Sequence, residues 1–348
     1  MMTYRVAQTP WRILLSISFV IAVAVLFTTY ESRAAKKSDA FSPLVRGEVV
    51  LKAAAVVDTD PQRFDGFIVW SSNRSGNHDI YLKRLPDGAV QRLTDHLHTE
   101  FYPRISPNGK QIVFARSHQP LVSQRNIYPW DVYLLDLKSG KERLLAKNGN
   151  LPTWSIDGKR VFFQRHGNTV VELNLRSNRE KILYQSGKNI KVPPKTALGT
   201  PSISAKGDRL ATTFRNTMRA TGVVGSKGRV RKTGNGCQLS WGPGDRYLYK
   251  IDDGGKMKNA LYKIDVKTLA VTKWFDAQGN YSHEYFPRIS NTADVLVYGA
   301  SSGGHEHDTA DYEIFLWVIG APANQAKRIT FHAGNDCWPD VYLYKPVD

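Results

Sequence analysis

Cysteine is nearly absent from the 348-residue chain. Cys237 and Cys337 are the only two, which excludes a disulfide framework or a four-thiolate metal site and leaves the fold to stand on its own core. Acidic side chains are also scarce, 31 Asp plus Glu against 48 Lys plus Arg. The resulting formal charge of +17 makes an anionic partner the first to consider. No His-x-x-x-His spacing supports a helix-borne metal site. What the chain does have is ordinary globular composition, 41% hydrophobic and 23% charged. Its 11% aromatics, 27 glycines and 17 prolines predict many short strands joined by tight turns.

One long apolar run occurs. Ile13 to Tyr30 is uncharged throughout, preceded by Arg5 and Arg12 and followed by Glu31, Arg33, Lys36 and Lys37. Its eighteen residues sit at the lower edge of what spans about 30 Å of hydrocarbon. Ser32-Arg33-Ala34 offers a signal peptidase its two small residues. Residues 1–35 therefore read as an export signal or a retained membrane anchor, and 36–60 as a linker. The body is expected on the periplasmic side of an inner membrane, anchored or secreted there. Nucleic acid is then not the expected partner of the positive charge, because anionic lipid and acidic glycans are the polyanions met outside the cytoplasm.

Beyond the linker the chain repeats itself. FYPRISPNGKQIVFAR (Phe101 to Arg116), LPTWSIDGKRVFFQR (Leu151 to Arg165), TPSISAKGDRLATTFR (Thr200 to Arg215), CQLSWGPGDRYLYKI (Cys237 to Ile251) and YFPRISNTADVLVYGA (Tyr285 to Ala300) share one layout. A short strand ends in Ser, a turn of Gly, Asn and Asp follows, and an apolar strand runs back. The anchoring serines, Ser106, Ser155, Ser204, Ser240 and Ser290, are spaced 49, 49, 36 and 50 residues apart. A third strand of the type Asp79-Ile80-Tyr81-Leu82 comes next, then a fourth of the type Gln91-Arg92-Leu93-Thr94. Four alternating strands per unit make a propeller blade, and the two-residue period excludes helical repeat arrays. The first unit lacks its first strand, and DCWPDVYLY (Asp336 to Tyr344) stands alone at the other end with Pro339 matching Pro103, Pro152, Pro201 and Pro287. The expected fold is an all-β, six-bladed propeller over residues 61–348, closed by the C-terminal strand completing blade 1. Closure removes the exposed sheet edges.

The stretch Ser71 to Ser117, SSNRSGNHDIYLKRLPDGAVQRLTDHLHTEFYPRISPNGKQIVFARS, resembles the repeat of the TolB-type propellers, S-N-R-x-G-x-x-[DE]-I-Y, R-L-T, P-x-[WI]-S-P-[DN]-G-x-x-I-x-F. The likeness is clearest in blades 1 and 2 and weakest in blade 4. It implies the fold strongly and a function weakly, since this repeat serves periplasmic binding proteins, peptidase propellers and polysaccharide lyases alike. The chain departs from TolB in having only about 30 residues between the apolar run and blade 1, where TolB carries an α/β domain. It also contains no G-x-S-x-G, so the likeness to peptidase propellers carries no protease activity.

In such a propeller the loops leading into the first strands share a face with the loops joining second and third strands. Three residues before the proline stand Glu100, Glu284 and Asp336, in blades 2, 6 and 1; one residue after it stand Arg104, Arg288 and Asp340. His98, His283 and the loop Ser301 to Asp311, with His305, His307 and Asp308, are expected at the same mouth, beside Trp338. Two readings stay open. The set is a ligand site at the channel mouth, or an ion network with Arg104 paired to Glu100 and Arg288 to Glu284 as clamps between blades. His305, His307 and Asp308 permit a divalent metal, though no cofactor is required. Trp338 is a stacking platform or blade packing. Cys237 and Cys337 precede first strands of non-adjacent blades, so no disulfide is expected. Blade 4 holds a basic run without acids, including Arg219, Lys227, Arg229, Arg231 and Lys232. This run is an exposed basic hairpin or a loop, with anionic membrane as one candidate ligand. The expected function is a monomeric, exported binding scaffold for a protein or peptide at the mouth of blades 6, 1 and 2. The alternative is a carbohydrate lyase or hydrolase using the same Glu/Asp/His cluster.

Overall fold

The computed structural model describes residues 64–252 and 259–344. The apolar run and the linker lie outside the described residues, and among those described no helix is long and apolar enough to cross a membrane. Six four-stranded antiparallel sheets form the six blades. In blade 1 the first strand is Asp336–Leu343, hydrogen-bonded to Gly66–Ser72, so the two ends of the propeller close the ring as the repeats require. The other first strands are Glu100–Ile105, Asn150–Trp154, Ala197–Ile203, Cys237–Trp241 and His283–Ile289, in blades 2 to 6.

Alternation explains why blades stack. On the second strand of blade 1, Phe67 and Val69 face blade 2 and pack with Ile112 and Phe114, while Ile68 and Trp70 face blade 6 and pack with Val295 and Val297. Each blade interface has an apolar cluster of this kind. Full burial of each such side chain stabilises by roughly 1.5–3 kcal/mol.

The repeat motif is a hydrogen-bond device. In blade 1 the Arg92 guanidinium donates to Asp79 (2.8 Å), and Ile80 N–H donates to the Thr94 hydroxyl (2.9 Å). Blade 6 does the same with Arg328 and Glu313 (2.5 Å), and with Ile314 and Thr330 (2.9 Å). The D-I-Y and R-L-T strings thus tie third strand to fourth. The hairpin serines cap the first turn, Ser106 Oγ accepting the amides of Lys110 and Gln111. One anchor needs correction. In blade 5 the turn closes on Gly242, whose N–H donates to Tyr247 O as Ser106 N–H does to Gln111 O, and Ser240 lies two residues earlier. Gly242 offers no side chain to a serine search; counted to it the last two spacings become 38 and 48, so blade 4 is itself the short repeat.

Candidate functional site

One backbone feature places the channel lining. In every first strand the register shifts at a bulge, and a non-glycine residue there adopts a left-handed φ: Tyr102 (60°), Leu151 (51°), Thr200 (46°), Gln238 (53°), Phe286 (60°) and Trp338 (55°). Such a conformation is uncommon for L-residues and persists only where the surroundings over-determine it. All six side chains line the neck of the channel, a cavity of about 30 Å³. Of the six only Trp338 was singled out in the sequence. The missed signal was the residue immediately before each aligned proline, which marks five of the six; Gln238 precedes Leu239 instead. A second tier follows two residues on: Arg104, Thr153, Ser240 and Arg288 line the neck, while Ser202 and Asp340 line the cavity of about 580 Å³ at the turn end.

The acids expected at the mouth are inside the blades instead. Glu100, Glu284 and Asp336 are each fully buried. Asp336 accepts from Arg74 (2.7 Å) and meets His332 (2.7 Å), whose charges outweigh the burial that would raise its carboxyl and hold it below its ordinary value. Glu100 takes Arg116 (2.5 Å) and the Thr94 hydroxyl; burial still pushes it up to about 7. Glu284 accepts Ala277 N–H (2.5 Å) with one oxygen, and its other oxygen is buried without a hydrogen-bond partner among the described residues. Burial raises it to about 8. Of the two expected clamps, Glu100 does meet an arginine, but it is Arg116 of its own blade, and among the described residues Glu284 joins no ion pair. Arg104 and Arg288 sit beyond the bulge, in the neck and toward the turn end, away from Glu100 and Glu284. Two carboxylates flanking an open cleft, the arrangement of glycoside chemistry, are not formed by this set.

A clasp covers blades 6, 1 and 2 at the loop end. The blade 2 loop reaches the blade 6 loop, with Ser123 Oγ and Gln124 N–H donating to Asp308 and Gln124 Nε2 donating to His307 O (2.8 Å). Gln124 also accepts Trp338 Nε1–H (2.6 Å) and, at its backbone oxygen, Tyr102 O–H (2.7 Å). Trp338 is thus packed, edge-on to Tyr102 and against Phe286. The metal set does not converge: Asp308 is committed to the clasp, the His307 ring stands edge-on to Tyr285 and Phe286, and His305 is exposed beside Glu306. Among the described residues no group of three His, Cys, Asp or Glu is placed to hold a metal ion. His98 is half-buried, its Nδ1 2.8 Å from Ser117 O, and His283 is half-buried at the start of its strand. Neither lines the opening.

The opening at this end draws on all six blades, with its basic wall on blade 4 and the blade 2 and blade 6 loops on its other side. A cavity of about 770 Å³ is floored by Leu151, Thr200, Gln238, Tyr102 and Trp338 and rimmed by Arg125, Arg215, Arg219 and His305. Glu306 is its one lining acid, paired to Arg125 (2.9 Å). Arg215 donates to Phe214 O and Gly236 O; burial lowers its pKa and Arg219 adds repulsion. Arg219 thus leaves the predicted basic patch for the mouth. The rest of that patch is an ordered hairpin at the outer edge of blade 4, Lys227 and Arg229 in its exposed turn, Arg231 and Lys232 on its last strand. Arg231 reaches Lys267 O (3.0 Å) of blade 5 and so also joins blades.

No family model matches the chain. Its fold matches that of TolB from Acinetobacter baumannii with a TM-score of 0.58 over 80% of this chain and 67% of that one, at 14% identity. This is a TolB-type propeller fold. A TolB-like protein of Agrobacterium tumefaciens gives 0.56, at 11% identity over 81% of this chain and 99% of that one. Among curated proteins, an uncharacterized protein of Agrobacterium fabrum is 28% identical over 106 residues, 29% of this chain. That stretch spans 36% of the relative's length.

Proposed function

We propose that the chain is an exported or membrane-tethered binding scaffold whose loop mouth takes an extended, acidic segment of a protein or peptide. The observation that carries this reading is the open cavity of about 770 Å³ with three arginines on its rim and a single acid, already paired. Guanidinium groups on a rigid rim suit carboxylates, and a floor of Trp338, Tyr102 and Leu151 suits an apolar side chain between them. Export rests on the apolar run Ile13 to Tyr30. The test is fluorescence anisotropy of the full chain in neutral detergent with labelled acidic, neutral and basic hexapeptides. The acidic peptide alone should bind, weakening at least several-fold as salt rises from about 0.05 to 0.3 M, and Arg219→Glu should abolish the signal. Equal binding of all three peptides, or an unaffected Arg219→Glu variant, would refute the reading.

A further inference from the structure

The neck holds two arginines that nothing in the fold neutralises directly. Arg104 is 8% exposed; its Nη1 donates to Pro103 O (2.7 Å) and approaches the Trp338 and Pro339 carbonyls at 3.5 Å. Among the described residues its Nε and Nη2 have no acceptor, and neither arginine joins an ion pair. Arg288 Nε is buried with no partner there. The nearest carboxylate, Asp340, spends its oxygens on the amides of Ile105 (2.8 Å) and Val341 (3.1 Å). Burial lowers Arg104 to about 9 and the like charge of Arg288 contributes, against the attraction of Asp340. Leaving a buried cation unpaired is costly, and two of one sign in one neck are costlier.

We infer that Arg104 and Arg288 form a binding site for a small oxyanion of the phosphate or carboxylate type, entered from the turn end of the channel. Both arginines line the neck and the cavity of about 580 Å³ outside it, so an anion reaches them without crossing the clasp. Thr153 and Ser240 stand in the same tier; the Thr153 hydroxyl supplies a neutral donor, and Ser240 Oγ, which donates to Gln238 O at 3.5 Å, can turn to a bound anion. The neck admits the anionic group alone, and the outer cavity has room for whatever carries it. This site is at the opposite end from the proposed peptide mouth and stands or falls separately.

Inorganic phosphate is the probe. The full chain in neutral detergent should show a saturable rise in melting temperature of about 3 °C over sodium chloride at equal ionic strength, as mass action requires of a ligand bound only to the folded state. Arg288→Gln should lose most of that rise yet melt no lower than the parent in chloride, because it removes an unpaired cation. Arg104→Lys, keeping charge but losing the fork, should lose at least half. Lys227→Gln, on the outer hairpin, should respond like the parent. Broadening of the ³¹P resonance by the parent and not by Arg288→Gln gives the same answer without unfolding. The inference is overturned if chloride matches phosphate, if Arg288→Gln responds as the parent does, or if that variant melts several degrees lower in chloride.

Discussion

The two halves of the ring differ in what their polar residues are for. Around blades 6, 1 and 2 Asp336, Glu100 and Glu313 are held by arginines and histidines inside the sheets, Arg104 and Arg288 stay in the neck, and the Gln124 and Asp308 clasp closes the loop end. Around blades 3 to 5 the lining residues are small or neutral at the floor, Leu151, Thr200 and Gln238, and the arginines Arg215 and Arg219 face open space. The half in which the repeat motif is most complete is therefore the closed half. Motif residues are consumed by blade construction, and the mouth opens where the motif decays.

The sharpest way to break this contrast is Asp336→Ala. It strips the buried partner from Arg74 and His332 together, and urea unfolding should show a loss of about 3–5 kcal/mol. A loss below about 1 kcal/mol would mean the closed half is not held by its ion network. Next in size is the pH response of Glu284. Its folded pKa, about 8, lies above the ordinary 4.5. The neutral form's stability is thus fully present below 4.5 and drains away as pH climbs to about 8. Glu284→Gln does not titrate and keeps an oxygen for Ala277 N–H. It should match the parent near pH 4.5 and exceed it by the order of 2–4 kcal/mol above pH 8, in chemical denaturation across that range. A constant gap at all pH values would refute the neutral carboxyl. Smallest is Arg219→Ala on the open half, expected to move stability by no more than about 0.5 kcal/mol in the same assay. A larger cost would make Arg219 part of the frame and erase the distinction.

The architecture could be read from the chain because its signals are local. Serine-turn hairpins, the D-I-Y and R-L-T strings and the orphan strand at Asp336 each report one strand or turn, and the structure uses them as such. The site was misread for a reason equally local. Glu100 and Arg104 are four residues apart on one strand, and the left-handed bulge at Tyr102 stands between them, as Phe286 does between Glu284 and Arg288. The bulge breaks the alternation, sends the acid between blades and the arginine into the channel, and leaves no mark in composition beyond the proline after it. Of the mouth arginines, Arg219 is named in the basic run but not placed at the mouth, Arg215 belongs to the blade whose repeat is most degraded, and Arg125 lies in the blade 2 loop, outside any repeat motif.

Closure by the strand Asp336–Leu343 also governs how the molecule comes to exist. Its partner Gly66–Ser72 is almost the whole propeller away along the chain, so this pairing is the longest-range in the ring and depends on blades 2 to 6 to bring the two ends together. Blades 2 to 6 have all their strands in sequence order and assemble as local hairpins, but blade 1 waits with an uncovered edge until residue 336 onward arrives. During that interval the second strand of blade 1 is a template for any extended segment nearby, including the same strand of another copy. Synthesis and assembly of this ring are thus a race between its own final strand and a stranger's.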